Sequence, residues 1–218
     1  PLPETLNGLW GNTAISAQAY SANGAEKMPS DFLTFNSSDQ VFVNVVSATK
    51  NGLYYYTVEN NKKLIKFYSF SNNSVRTVAT LGDIINVYAN NSKIYYIERD
   101  TSTYNSSVKG SSYSYYIKTF DTDTEIVTKS VNVSKYTPNG ILNYPNCFGV
   151  DDNGRIYYYV TDSSGAEKGD NLFLLDSNGN KLSSCSTDVA ITKFSGFDST
   201  NGNFYFERSR SEEHTSEL

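Results

Sequence analysis

The stretch that most constrains the fold is Asn51–Tyr56, N-G-L-Y-Y-Y, because the chain repeats it. It returns as N-S-K-I-Y-Y from Asn91, as N-G-R-I-Y-Y from Asn153, and as N-G-N-F-Y-F from Asn201. Each copy reads as a turn pair, one free position, an apolar residue and two aromatics. A turn of this chemistry running into β-branched or aromatic residues is the strongest short-range signal for a β-hairpin. The copies start 40, 62 and 48 residues apart, and that spacing points to one structural unit per copy.

A four-strand pattern surrounds each copy. An apolar strand precedes the turn at 41–47, 84–89, 146–150 and 191–197. The aromatic strand follows it. Third strands are expected at 64–70, 113–120 and 171–175, and fourth strands at 75–80, 125–131 and 181–186. The turns between third and fourth strands (71–74, 121–124 and 176–180) are rich in Asn, Asp and Ser, the residues hairpin turns select. Four antiparallel strands per 40–60 residues is the sequence form of a β-propeller blade. The fold expected is all-β, a partial β-propeller with about three complete blades and two half-blades. The upstream half-blade is the hairpin 14–20 and 25–30; the downstream one stops after its second strand.

Composition agrees with strand. The 218 residues include 18 Tyr and 12 Phe, only 19% are charged, and no long apolar stripe of helical period occurs. The net charge of −5 and the lack of a dense Lys/Arg cluster argue against a nucleic-acid partner. No apolar run approaches the roughly 20 residues of a membrane-spanning helix.

The N-G-x-[LI]-Y-Y strand, followed by a strand such as L-I-K-F-Y-S-F and a polar turn, resembles bacterial propellers of the YWTD and TolB-like families. The resemblance spans 41–208, although no blade carries Y-W-T-D itself. It implies a binding platform, or the non-catalytic partner of another domain. The last nine residues, R-S-E-E-H-T-S-E-L from Arg210, resemble the translation of a common sequencing adapter. The expected organisation is therefore a linker or cut terminus at 1–13, a propeller fragment at 14–209 and a non-native tail at 210–218. His214, the sole histidine, falls in that tail.

Strand direction alternates within a blade, so the connections sort onto two faces. The long ones, at 101–112, 132–145 and 161–170, share one face. Long loops on a rigid scaffold tend to carry binding. Tyr104, Asn105, Tyr136, Asn143 and Tyr144 are the candidate ligand-binding residues, suited to a protein, peptide or glycan. The aromatic pairs Tyr54–Tyr56, Tyr95–Tyr96, Tyr157–Tyr159 and Phe204–Phe206 are read as packing between blades. Asp176–Asn180 and Asp121–Glu125 lack the spacing of a calcium loop, and no metal or cofactor is expected. Cys147 and Cys185 fall on the first and fourth strands of one blade, about 14 Å apart, which keeps them separate thiols.

No G-x-S-x-G elbow is present, and no histidine outside the tail could serve as a base. The function expected is a non-enzymatic binding scaffold of an exported or cell-surface bacterial protein. The alternatives are the propeller domain of a larger enzyme, such as a prolyl-oligopeptidase-type hydrolase, or one module of an adhesin.

Overall fold

The computed structural model describes residues 15–16, 31–33, 44–90, 92–109, 111–137, 143–162, 169–187, 190–198, 200 and 202–208. The expected 1–13 and 210–218 segments lie outside these residues. Among the described residues every long element is a strand. Two of them, β1 (Ile15–Ser16) and β2 (Asp31–Leu33), form a short hairpin in which Ile15 pairs with Leu33. The expected second strand of that hairpin, 25–30, lies outside the described residues.

Three four-stranded antiparallel sheets follow in chain order. The first holds β3 (Asn44–Thr49), β4 (Gly52–Glu59), β5 (Lys62–Ser69) and β6 (Val75–Leu81). The second holds β7 (Asp83–Asn90), β8 (Lys93–Asp100), β9 (Ser114–Asp121) and β10 (Ile126–Asn132). The third holds β11 (Asn143–Val150), β12 (Ile156–Asp162), β13 (Leu172–Leu175) and β14 (Lys181–Cys185). A two-stranded sheet, β15 (Ile191–Asp198) with β16 (Asn203–Arg208), closes the described chain. Each strand pairs with its neighbour in sequence, the meander of a propeller blade. The chain is a partial β-propeller.

Strand pairing corrects the alignment of the repeat by one residue in its first copy. Thr49 pairs with Gly52, so the turn is Lys50-Asn51 and Gly52 already belongs to β4. In the second sheet Asn90 pairs with Lys93. Leu53 therefore corresponds to Ile94 and Ile156, not to Lys93 and Arg155. Burial agrees: Leu53, Ile94 and Ile156 are all core residues, whereas Lys93 is exposed. A one-residue slip moves every side chain to the other face of a sheet. Gly52 is needed here for closeness rather than for a turn. A Cβ at that position would overlap the Tyr68 carbonyl and the Phe67 ring.

The chain divides into two compact units, 1–99 with 118–130 and 100–117 with 131–218. The core of the first is Tyr54, Ile65, Ile84, Ile94, Tyr96 and Phe120, with Phe67, Val78 and Leu81 against it. A polar clamp ties its two sheets together. The Tyr54 hydroxyl lies 2.8 Å from Glu125 Oε1 and 2.9 Å from the Thr122 carbonyl, and Arg76 pairs with the same carboxylate. Arg76 also lies over the Phe67 ring, 5.1 Å from its centroid. Glu125 holds a positive φ of 57° at the end of its hairpin turn, an uncommon conformation for a residue with a side chain.

In the second unit, β11 packs beside β15, and Cys147 Sγ–H and Asn146 Nδ2–H both reach the Ile191 carbonyl. Tyr157 stacks on Phe204 at 4.3 Å, and Phe194 meets Phe204 edge-on. Cys147 and Cys185 lie in one cross-strand row, Cys147–Tyr159–Leu172–Cys185, which spans the sheet from first to fourth strand. Their placement matches the sequence reading, and both are free thiols.

The aromatic repeats pack as expected in three copies. Tyr54, Tyr55, Tyr56, Tyr96, Tyr158 and Tyr159 are all buried. The fourth copy departs from this, because Tyr205 and Phe206 are 52% and 48% exposed.

Candidate functional site

The connections between strands differ sharply in length. In the first sheet β4 turns into β5 through Asn60-Asn61, both with positive φ, the conformation that two-residue hairpin turns require. The equivalent connection in the second sheet, 101–113, is much longer, as are 133–142 and 163–171. All three long connections belong to the second compact unit. Four of the other turns are closed by aspartates: Asp121, Asp151, Asp176 and Asp198 each accept backbone N–H donors from residues two to four positions on. These carboxylates are occupied by turn chemistry. In Asp121 the N–H donated by Thr124 holds the carboxyl below its ordinary pKa. Among the described residues no three His, Cys, Asp or Glu side chains gather as metal ligands.

Connection 101–113 is a built loop. It opens with a 3-10 turn, Thr101–Thr103, capped by Asp100, whose Oδ1 accepts from the Ser102 N–H and hydroxyl. Thr103 Oγ1 donates to the Asp100 carbonyl and accepts the Ser114 N–H, which ties the start of the loop to its end. Asn105 fixes the middle. Its N–H donates to Ser111 Oγ at 2.7 Å, its Oδ1 accepts the Ser107 N–H at 3.0 Å, and its carbonyl accepts from Val108. On this frame the Tyr104 and Tyr113 rings lie 4.8 Å apart at 38°. Both are half-buried, and Asn105 is exposed.

Of the five candidate residues, the structure brings Tyr104 and Asn105 together in this loop. Tyr136 is elsewhere. It sits in the 3-10 turn Ser134–Tyr136, which the Val133 N–H and Ser134 hydroxyl fasten to Tyr115. Its ring is buried against Phe173 at 4.9 Å, and its hydroxyl donates to the Gly179 carbonyl at 2.9 Å. The sequence reading put the 176–180 turn and Tyr136 at opposite ends of their blades, yet in this unit the turn covers Tyr136. Gly179 makes that approach feasible: its φ is +82°, and a Cβ there would meet Val131 Cγ1 at 2.5 Å. Tyr136 is a core residue and not an open contact. Asn143 and Tyr144, expected in a connection, are the first residues of β11, paired with Asp162 and Thr161. The N-Y-P-N stretch from Asn143 reads as a loop, and the ladder to β12 overrides it.

Tyr113 is the residue the sequence reading missed. The sequence pattern makes it the first residue of a strand, whereas β9 begins at Ser114. The available signal was Ser111-Ser112 before it, a poor strand start. Among the described residues no helix is long and apolar enough to cross a membrane.

No protein-family model and no curated protein matches the sequence. Solved structures do. A gluconolactonase from Xanthomonas campestris matches at 10% identity and TM-score 0.47, over 90% of this chain and 62% of that one. A luciferin-regenerating enzyme matches at 11% identity and TM-score 0.45, over 88% of this chain and 65% of that one. The chain thus spans less than two thirds of either protein. Both are enzymes, and the expectation that this chain has no enzymatic role is corrected on that finding.

Proposed function

We propose that this chain is the ligand-recognition portion of a β-propeller protein, and that connection 101–113 presents the contact surface. The observation that carries the reading is the aromatic pair Tyr104–Tyr113, held on a loop whose own side chains hydrogen-bond it into one shape. A loop ordered before binding loses little entropy on complex formation, which favours affinity. Its place on a sheet scaffold is where propellers and other rigid folds carry variable contacts. Kinship with YWTD or TolB-like propellers is part of this proposal and rests on the N-G-x-[LI]-Y-Y strands. So is an exported bacterial origin, supported by two cysteines only and a composition rich in Asn, Ser and Tyr.

The test is loop replacement. Residues 102–112 are exchanged for an Asn-Asn turn like that at Asn60-Asn61, and both proteins are applied to peptide and glycan arrays. The expected result is a ligand captured by the parent chain and lost by the short-turn variant, with the far-ultraviolet circular dichroism unchanged. Equal capture by both proteins would refute the role of this loop.

A further inference from the structure

We propose that Tyr104 and Tyr113 form a stacking subsite for a neutral saccharide, with the Asn105 carboxamide as the hydrogen-bond donor beside it. The inference rests on the reading of 101–113 as the recognition element and names the class of its ligand. Three observations carry it.

The rings come first. At 4.8 Å and 38° they form a tilted pair of apolar rings, each half-buried. Aromatic faces carry partial negative charge and attract the positively polarised C–H faces of a pyranose ring. Second is the donor. Asn105 Oδ1 is committed to the Ser107 N–H, which fixes the carboxamide orientation and leaves its Nδ2 hydrogens without a partner among the described residues. Exposed hydroxyls of Ser102, Ser106 and Ser107 lie on the same loop, as a polyol requires.

Third is charge and topology. Within 101–113 the sole charged side chain is Lys109, so a neutral ligand fits better than an ionic one. Peptides commonly bind by adding a strand to an open sheet edge. Here β9 is flanked by β8 and β10, so the strand that leaves the loop has no open edge to offer.

The experiment is calorimetric titration of the full chain with neutral hexasaccharides, namely β-1,4-linked glucose, N-acetylglucosamine and xylose and α-1,6-linked mannose. At least one is expected to bind. Tyr104→Ala and Tyr113→Ala should each weaken it at least about tenfold, a change of about 1.4 kcal/mol. Tyr104→Phe should keep the affinity, because the ring supplies the stacking. Asn105→Asp retains the Oδ1 acceptor for the Ser107 N–H but removes the amide donor, and should weaken binding several-fold even if a tyrosine variant fails to fold. Absence of binding to all four saccharides overturns the inference, as does binding indifferent to these substitutions. A peptide captured by the parent chain and lost with the short turn would leave the loop's role standing while this inference falls. A saccharide that binds the short-turn variant equally well would remove both.

Discussion

Glu125 shows how one residue can hold a hairpin turn and a neighbouring sheet together. The hydrogen bond from Arg76 holds its carboxyl below the usual carboxylate range; burial opposes that shift, and the Tyr54 hydroxyl adds to it. Burial first, and then the bond to Glu125, push the Tyr54 hydroxyl up to about 12, so it remains a donor throughout the neutral range. Because the folded pKa of Glu125 lies below its unfolded value of about 4.3, ionised Glu125 stabilises the fold fully above that pH. The contribution disappears as pH falls through the folded pKa. Arg76 is half-exposed, at 52%, so solvent screening limits the pair to about 0.5–1 kcal/mol. Glu125→Gln is expected to lower stability by that amount at pH 7 and by progressively less below pH ~4. Urea denaturation of both proteins at pH 7, 5 and 3 checks it. A difference that persists undiminished at pH 3 would show that the carboxylate charge is not the cause.

At the scale of elements, the strands were legible in the sequence and their seating was not. The turn residues and alternating aromatics located all four strands in each of three sheets to within a few residues, because hairpin chemistry is local. The register of β4 was misread by one position, since Asn51-Gly52 resembles a turn pair while the close approach of Tyr68 and Phe67 requires that glycine inside the strand. Tyr136 was misplaced for a non-local reason. Only packing reveals that Gly179 lets a distant turn settle on it, 43 residues along the chain. The candidate loop was legible as a long connection, but Tyr113 and the hydrogen bonds that shape the loop were not. Two buried tyrosines of this unit should respond differently to loss of the hydroxyl. Tyr136→Phe leaves the Gly179 carbonyl without its buried donor and should cost about 1–3 kcal/mol. The Tyr158 hydroxyl is fully buried with no partner of ordinary geometry among the described residues, Thr137 being the polar group beside it. Tyr158→Phe removes an unsatisfied group and should be neutral or stabilising. Thermal unfolding of the two variants separates these outcomes, and an equal loss from both would contradict the assigned contacts.

For the whole molecule, the fourth sheet is where repetition of the same strand pattern meets a different environment. Tyr96 of β8 is 2% exposed, because β9 flanks its strand and neighbouring side chains cover its face. In β16, Tyr205 and Phe206 are successive residues that point to opposite faces, and both remain about half exposed. Among the described residues β16 pairs with β15 alone, and it carries two exposed aromatics. A flat, hydrophobic sheet edge is a template for strand pairing, and a charge on the edge is the usual protection. The chain carries a net charge of −5, too little over 218 residues to keep such edges apart by repulsion. We expect concentration-dependent self-association in the micromolar range, seen as a rising weight-average sedimentation coefficient. Tyr205→Lys places a charge on an exposed face of β16 and leaves the edge contact of Phe206 with the buried Phe194 in place, and should shift the protein toward monomer at every concentration. A parent chain that sediments as a monomer throughout that range would mean that β16 is covered, and that its exposed aromatics do not template pairing.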